Sequence, residues 1–139
     1  MKIAVVYWSG TGHTETMAQA VAQGAQEAGA EVALLTCGEF TPDMAADFDA
    51  FAFGCPAMGA EVLEESEFDP MFTAVEGSLA GKKIALFGSY GWGDGEWMRT
   101  WEERCAADGI TLAADSVICN DEPDDDAQTE CKALGAALN

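Results

Sequence analysis

The sequence predicts an α/β protein built on a doubly wound, five-stranded parallel sheet with helices on both faces. Five short apolar segments alternate with segments whose apolar residues recur at helical spacing. Strands separated by helices form βαβ units, in which consecutive strands run parallel. Because no linker, repeat or low-complexity tract divides the 139 residues, we expect a single domain over residues 1–139.

The five predicted strands are largely apolar on both faces, as in a sheet that is covered on two sides. They span residues 2–8, 31–37, 50–55, 84–88 and 111–119. Polar residues 9–13 interrupt the first apolar run too early for a signal peptide. No apolar run approaches the roughly 20 residues of a membrane span, and we therefore expect a cytoplasmic protein.

The four predicted helices carry apolar or small residues three and four positions apart. The first spans residues 13–28 and stops at Gly29, the second ends at Gly81, the third ends at Gly109, and the last spans residues 124–138. Residues 38–49 form a connector with a short helical turn near residues 43–46. The faces expected to be buried contain Met17, Ala18, Val21, Ala22, Ala25, Phe68, Met71, Phe72, Val75, Leu79, Trp97, Met98, Trp101, Cys105, Ala127, Cys131, Leu134 and Leu138.

The charge of the chain excludes several classes of partner. Its 25 acidic and 6 basic residues give a formal net charge of −19. Such a chain is repelled by nucleic-acid backbones and anionic membranes, and it favours a protein partner with a basic face. Five cysteines without a Cys-x-x-Cys pair, together with a single histidine, give no support for a zinc or iron–sulfur site.

The loop after the first predicted strand has the composition of an anion site. Its residues are Trp8, Ser9, Gly10, Thr11, Gly12, His13 and Thr14. The first N–H groups of the helix that follows lack intrahelical partners, and the helix dipole adds partial positive charge there. Position 15 is Glu, so the third glycine of a dinucleotide fingerprint is missing, and so is the lysine of a Walker loop. The anion would be held by neutral amides and hydroxyls.

Two further glycine-containing loops follow the third and fourth predicted strands, so they should open at the same carboxyl edge. One consists of Pro56, Ala57, Met58, Gly59, Ala60 and Glu61, and the other contains Ser89, Tyr90, Gly91, Trp92 and Gly93. Aromatic side chains on a glycine-rich turn suit stacking on a planar ligand, and a carboxylate accepts from a ring N–H. Together the three loops predict a site for a phosphorylated planar heterocycle.

These loops resemble the flavin mononucleotide loops of the short-chain flavodoxins, particularly the clostridial type. The resemblance rests on Tyr7-Trp8-Ser9-Gly10-Thr11-Gly12-x-Thr14, on Ala57-Met58-Gly59-x-Glu61 and on residues 88–95 (GSYGWGDG), and it covers nearly the whole chain. It implies the strand order 2-1-3-4-5, for which flavodoxin is itself the usual example. It also implies a low-potential one-electron carrier, without a substrate of its own. Non-covalently bound FMN would shuttle between semiquinone and hydroquinone and donate electrons to redox enzymes.

The resemblance also implies individual roles. Residues 9–14 would cradle the phosphate, Met58 and Trp92 would flank the ring, and Glu61 would accept from the ring N3–H. The Gly59 carbonyl would turn toward N5 after one-electron reduction. Two positions depart from the family. His13 stands where Asn is usual, which affects phosphate electrostatics, and Ala60 resists positive φ more than a glycine would.

Acidic residues follow the second and third loops and the fifth strand, and they should ring the cofactor edge. They are Glu61, Glu64, Glu65, Glu67, Asp69, Asp94, Glu96 and the acids of residues 121–126. We expect redox partners to dock on this rim through basic faces. We expect the chain itself to be a monomer.

Three other functions are weaker interpretations. An FMN-dependent NAD(P)H:quinone reductase on the same fold is the main alternative, although basic groups for a nicotinamide dinucleotide are not evident. A receiver-like signalling module would need clustered acids at the end of the first strand, where Tyr7, Trp8 and Ser9 stand. A Cys-x5-Arg phosphatase fails because Glu61 lies six residues after Cys55.

Overall fold

A computed structural model describes residues 1–139 and contains one five-stranded parallel sheet. The strands are β1 (Lys2–Tyr7), β2 (Glu31–Thr36), β3 (Ala50–Gly54), β4 (Lys83–Tyr90) and β5 (Val117–Asn120). Their order is β2-β1-β3-β4-β5, and every neighbouring pair is parallel. The predicted fold class and strand order are therefore confirmed.

Four α-helices are present, as the periodicity predicts; three connect strands and the fourth follows β5. They are α1 (His13–Glu27), α2 (Phe68–Val75), α3 (Glu96–Ala107) and α4 (Asp125–Ala137). The predicted turn in the connector is the 3-10 helix Pro42–Asp47. Gly29 and Gly109 end α1 and α3 with positive φ, and both donate to carbonyls three residues back. No helix combines the length and the apolar composition that crossing a bilayer requires.

The two faces of the sheet are covered by different helices and by different side chains. Successive residues of a strand point to opposite faces, so the segment Ala50-Phe51-Ala52-Phe53 of β3 sends its alanines to one face and its phenylalanines to the other. Helices α1 and α4 pack on the alanine side, and α2 and α3 pack on the phenylalanine side. Trp97 and Trp101 are each 1% exposed, which confirms that they belong to the core.

Three boundaries differ from the sequence predictions by two residues or more. Strand β4 continues to Tyr90, because Ala57 and Asp121 both donate to carbonyls at its end. Strand β5 begins only at Val117, since the chain pairs with Ile84 at Leu112, leaves the sheet and then returns. The second helix ends at Val75 and continues as the 3-10 turn Glu76–Ser78 before Gly81.

Candidate functional site

The three predicted loops meet at the carboxyl edge of the sheet. Strands β1, β3 and β4 are neighbours, and the register places Tyr7 beside Gly54 and Gly54 beside Phe87. The loops are tied to this edge by backbone hydrogen bonds from Trp8 N to the Gly54 carbonyl (3.0 Å) and from Ala57 N to the Ser89 carbonyl (3.0 Å). The sequence therefore identified correctly which segments lie together, although their binding role stays a prediction.

The first loop is closed by its own serine. Ser9 Oγ accepts from the backbone N–H of Gly12 (3.1 Å) and of Glu15 (3.3 Å). Gly12, the N-cap of α1, has φ 96°, a left-handed conformation that glycine adopts without steric cost. The Ser9 oxygen acts only as an acceptor in these two bonds. Its hydroxyl proton is therefore free to be donated to a ligand.

Five backbone amides around this turn have no acceptor within the protein. No hydrogen bond in the structure starts from the N–H of Ser9, Gly10, Thr11, His13 or Thr14. Two of these amides belong to the first turn of α1, where the helix dipole favours a negative charge. This arrangement of unused donors fits a phosphate group.

A buried hydroxyl pair joins the first loop to the third. Thr14 Oγ1 and Ser89 Oγ lie 3.4 Å apart, and both side chains are buried. These hydroxyls therefore hold the start of α1 against the end of β4. The position of the free amides is thus fixed by the sheet as well as by the helix.

The second loop is a tight hairpin. Met58 N donates to the Val62 carbonyl (2.9 Å) and Val62 N donates back to the Met58 carbonyl (3.1 Å). The turn between them has positive φ at Gly59 (43°) and at Glu61 (57°), whereas Ala60 does not. A glutamate rarely adopts the left-handed backbone conformation. The hairpin hydrogen bonds, and not the intrinsic φ/ψ preference of the residue, therefore hold Glu61 there.

The side chain of Glu61 points behind the hairpin. Its Oε1 is buried without a hydrogen-bond partner, next to Gly93, where any side chain would overlap the carboxylate. Burial, followed by the nearby carboxylates of Glu96 and Asp94, raises the pKa of Glu61. The loop position of Glu61 agrees with the sequence interpretation, but its carboxylate does not line the cavity described below.

The two aromatic residues of the third loop differ in exposure. Tyr90 is half-buried at the end of β4, with its ring centroid 5.6 Å from that of Trp97. Tyr90 therefore packs partly against the core, because β4 is longer than the sequence suggests. Trp92 is 67% exposed, so its ring is available at the rim.

A cavity of about 210 Å³ opens between the three loops. Ten residues line it, namely Trp8, Gly10, Thr11, His13, Pro56, Met58, Ser89, Tyr90, Gly91 and Asp121. Of these, only Asp121 is absent from the predicted site residues. Asp121 has φ 56° and donates its N–H to the Tyr90 carbonyl (2.8 Å), so the turn after β5 brings it to the same edge. From the sequence, Asp121 is expected in the acidic rim of this edge, because it directly follows the fifth strand, but not among the cofactor-binding residues.

No Lys or Arg side chain lines this cavity, although His13 does. Lys2 and Lys83 are the first residues of β1 and β4, at the opposite edge of the sheet. Arg99 is paired with Asp94 (2.9 Å), and Arg104 with Asp69 and Glu76 (2.9 Å each). The site thus combines uncharged hydrogen-bond donors for an anion, aromatic side chains and Met58, and acidic residues surround it. These groups fit a phosphate monoester that carries a planar ring.

Comparison with known proteins agrees with this geometry. The family model described as flavodoxin matches residues 5–135. The chain is 46% identical over 134 residues to a flavodoxin from Clostridium beijerinckii, and the match covers 96% of each protein. It is 44% identical over 135 residues to a flavodoxin from Megasphaera elsdenii, covering 97% of this chain and 96% of the relative.

The fold comparison gives the same result. The solution structure of two-electron reduced Megasphaera elsdenii flavodoxin superposes with a TM-score of 0.90 at 46% identity, covering 98% of this chain and 97% of that one. A flavodoxin structure from the domain Archaea superposes with a TM-score of 0.86 at 28% identity, covering 99% and 96%.

Proposed function

The chain belongs to the flavodoxin family as a short-chain member of the clostridial type, and we propose that it transfers single electrons at low potential. Proteins of this family bind FMN and carry electrons to redox partners. The finer proposal is that residues 1–139 act as one FMN-binding domain, that the cofactor alternates between semiquinone and hydroquinone, and that the protein has no substrate of its own.

The observation that carries the proposal is the set of unused amides beside the cavity. The N–H groups of Gly10, Thr11, His13 and Thr14 would hold the FMN phosphate. When bound, FMN supplies the redox chemistry, and the protein contributes binding, orientation and electrostatics. Met58 and Trp92 would cover the ring, Tyr90 and Gly91 would border it, and Glu61 would accept from a ring N–H.

The charges of this chain favour a low potential. A reduced, anionic ring would lie near the phosphate and the acidic rim, with no Lys or Arg side chain lining the cavity. One further unit charge about 8 Å away, at an effective dielectric near 20, costs about 2 kcal/mol. Since about 1.4 kcal/mol corresponds to ~59 mV for one electron, a few such pairs produce a strongly reducing carrier.

The test of the cofactor proposal is FMN titration of the flavin-free full-length chain, followed by anaerobic reduction in a spectrophotometer. We expect one FMN per chain, a neutral blue semiquinone at the first stage and a low second potential. Riboflavin is the matched control, because it lacks the phosphate and should bind far more weakly. Equal affinity for the two flavins would contradict the phosphate cradle, and direct two-electron reduction would contradict the one-electron proposal.

The test of the docking proposal is the salt dependence of electron transfer to a basic redox protein. The acidic rim should accelerate encounter through long-range attraction, so the rate constant should fall as ionic strength rises. A rate constant that does not change with ionic strength would show that the acidic rim is not part of the docking surface. Steady-state NAD(P)H oxidation with a quinone as acceptor would instead support the quinone reductase alternative.

A further inference from the structure

His13 is the one residue lining the cavity between the three loops whose side chain can carry a positive charge. It is half-exposed, and it is the single histidine of the chain. Histidine is the side chain that ordinarily gains or loses its charge between pH 5 and 8. The wall of the proposed cofactor site therefore contains one group whose charge depends on pH.

The place of His13 in the fold directs its side chain toward the proposed phosphate position. His13 is the first residue of α1, and in a helix each Cα–Cβ bond tilts toward the N-terminus. The residues Gly10 and Thr11, whose N–H groups are unused, line the same cavity. An anion that those amides bind would thus lie beside the imidazole ring.

The imidazole of His13 is not engaged by any other residue. No side-chain hydrogen bond of the structure involves this ring, and the ion pairs all belong to Arg99 and Arg104. Both ring nitrogens are donors in the protonated state. The protonated ring would therefore have donors available for a ligand.

The acidic groups near His13 do not already neutralise it. Among the residues that line the cavity with His13, Tyr90 and Asp121 are titratable, and neither forms an ion pair or hydrogen bond with the ring. On α1, the carboxylate of Glu15 accepts from a tyrosine hydroxyl of β1 at 3.2 Å. On the hairpin, the carboxylate of Glu61 does not line this cavity. A phosphate in the cradle would be the first anion to bind the ring directly.

We propose that the imidazolium of His13 binds the phosphate group of FMN, so that protonation of this one side chain raises the affinity for the cofactor. The inference rests on the proposed function. The helix dipole disfavours a cation at the start of α1, but a charge-assisted N–H···O bond to the phosphate would outweigh it. Asn, the usual residue of the family at this position, stays neutral, so the pH response would belong to this chain.

The first test compares the wild type with His13→Asn as flavin-free full-length chains, each titrated with FMN and with riboflavin at pH 8 and pH 6. The ratio of wild-type to variant FMN affinity should rise about 2- to 10-fold from pH 8 to pH 6, because an ion pair at a half-exposed site has a modest effect. The ratio cancels the titration of the phosphate itself, which both proteins share. For riboflavin, which lacks the phosphate, the ratio should not change.

His13→Lys is the matched positive control, because lysine keeps its charge at both pH values. Its FMN affinity relative to His13→Asn should be raised equally at pH 8 and pH 6. A wild-type ratio that is the same at both pH values, or that rises as much for riboflavin as for FMN, would overturn the inference alone. Loss of FMN binding in all three proteins would overturn the proposed function together with the inference.

The second test is an NMR pH titration of the imidazole C–H signals, which a single histidine makes unambiguous. Because coupling between two binding events is reciprocal, FMN should move the titration of these signals to higher pH, whereas riboflavin should leave it in place. Asp121→Asn removes the other charged side chain that lines the cavity, and the effect of FMN should persist in it. A titration that FMN does not move, or that moves only when Asp121 is present, would contradict a direct bond to the phosphate.

Discussion

The two faces of the sheet are packed in opposite ways. The buried residues under α1 and α4 include seven alanines, whereas those under α2 and α3 include six phenylalanines and two tryptophans. On the first face, backbones touch: a side chain added at Gly24 would overlap the Lys132 carbonyl, and one added at Gly135 would overlap the Val21 carbonyl. On the second face, rings fill the space between backbones.

This difference corresponds to the two ends of the cofactor site. The proposed phosphate cradle begins α1, on the close-packed face, where its amides are fixed by helix, sheet and the Thr14–Ser89 pair. The hairpin that we propose to contact the ring lies on the aromatic face, where the two unpartnered buried side-chain polar atoms occur. We infer that the phosphate end is preformed, whereas the geometry of the ring end depends on the hairpin turn.

The largest expected effect tests the aromatic face. Phe53 is fully buried, stacks 5.5 Å from Phe51 and meets Phe72 edge-on at 5.2 Å. Phe53→Ala should lower the free energy of unfolding by about 3–5 kcal/mol, because the rings cannot collapse into the void. Denaturant unfolding measures the loss. Phe53→Leu keeps most of the volume and should cost under about 2 kcal/mol. Equal losses for the two variants would show that volume does not govern this face.

The next effect tests the close-packed face, where adding one methyl group should be harmful. Gly135→Ala should improve helix propensity by roughly 1 kcal/mol. We nevertheless expect a net loss of about 1–3 kcal/mol, because the new methyl group overlaps the Val21 carbonyl and α1 and α4 must separate. Gly77→Ala is the matched control, since that glycine has open space and ordinary φ, and it should be neutral or slightly stabilising. A stabilised Gly135→Ala variant would contradict the backbone contact.

The sequence was sufficient for the features that depend on pattern. Alternating residues such as those of β3 specify which face each side chain covers, and the glycine-rich turns specify which edge carries the site. It could not show that Ser9 closes its own loop, or that the Glu61 carboxylate lies behind the hairpin. Those outcomes depend on atoms distant in sequence, such as Ser89 beside Thr14 and Gly93 beside Glu61.

A third, intermediate effect tests how the hairpin is anchored to the aromatic face. The carboxylate of Glu64 is buried and accepts from the N–H groups of Ser66 (2.9 Å), Glu67 (2.7 Å) and Phe68 (2.8 Å) at the start of α2. Burial by itself would raise the pKa of Glu64, but the bonds from those three amides outweigh burial and lower it. Glu64→Gln should therefore cost about 1–2 kcal/mol at neutral pH.

The pH dependence of this loss follows from the direction of the shift. Because the folded pKa is lowered, the contribution is fully present above the unfolded value of about 4.3 and is lost as pH falls through the folded pKa. The difference in unfolding free energy between wild type and Glu64→Gln should thus narrow below about pH 4. Glu65→Gln, an exposed neighbour, should change stability by less than about 0.5 kcal/mol at any pH. A pH-independent difference would mean that the Glu64 charge does not cap α2.

The smallest effect on stability should come from the residue that we expect to matter most for the ring. Trp92 is 67% exposed, so Trp92→Ala should shift the unfolding free energy of the flavin-free chain by less than about 0.5 kcal/mol. Stacking adds about 0.5–1.5 kcal/mol beyond area burial, so FMN affinity should fall at least about 2- to 10-fold. Trp97→Phe is the opposite case, because that indole is buried and donates to the Cys55 carbonyl. Loss of this hydrogen bond should lower the free energy of unfolding more than it lowers FMN affinity. If Trp92→Ala left FMN affinity unchanged, the exposed ring would belong to partner docking and not to the cofactor.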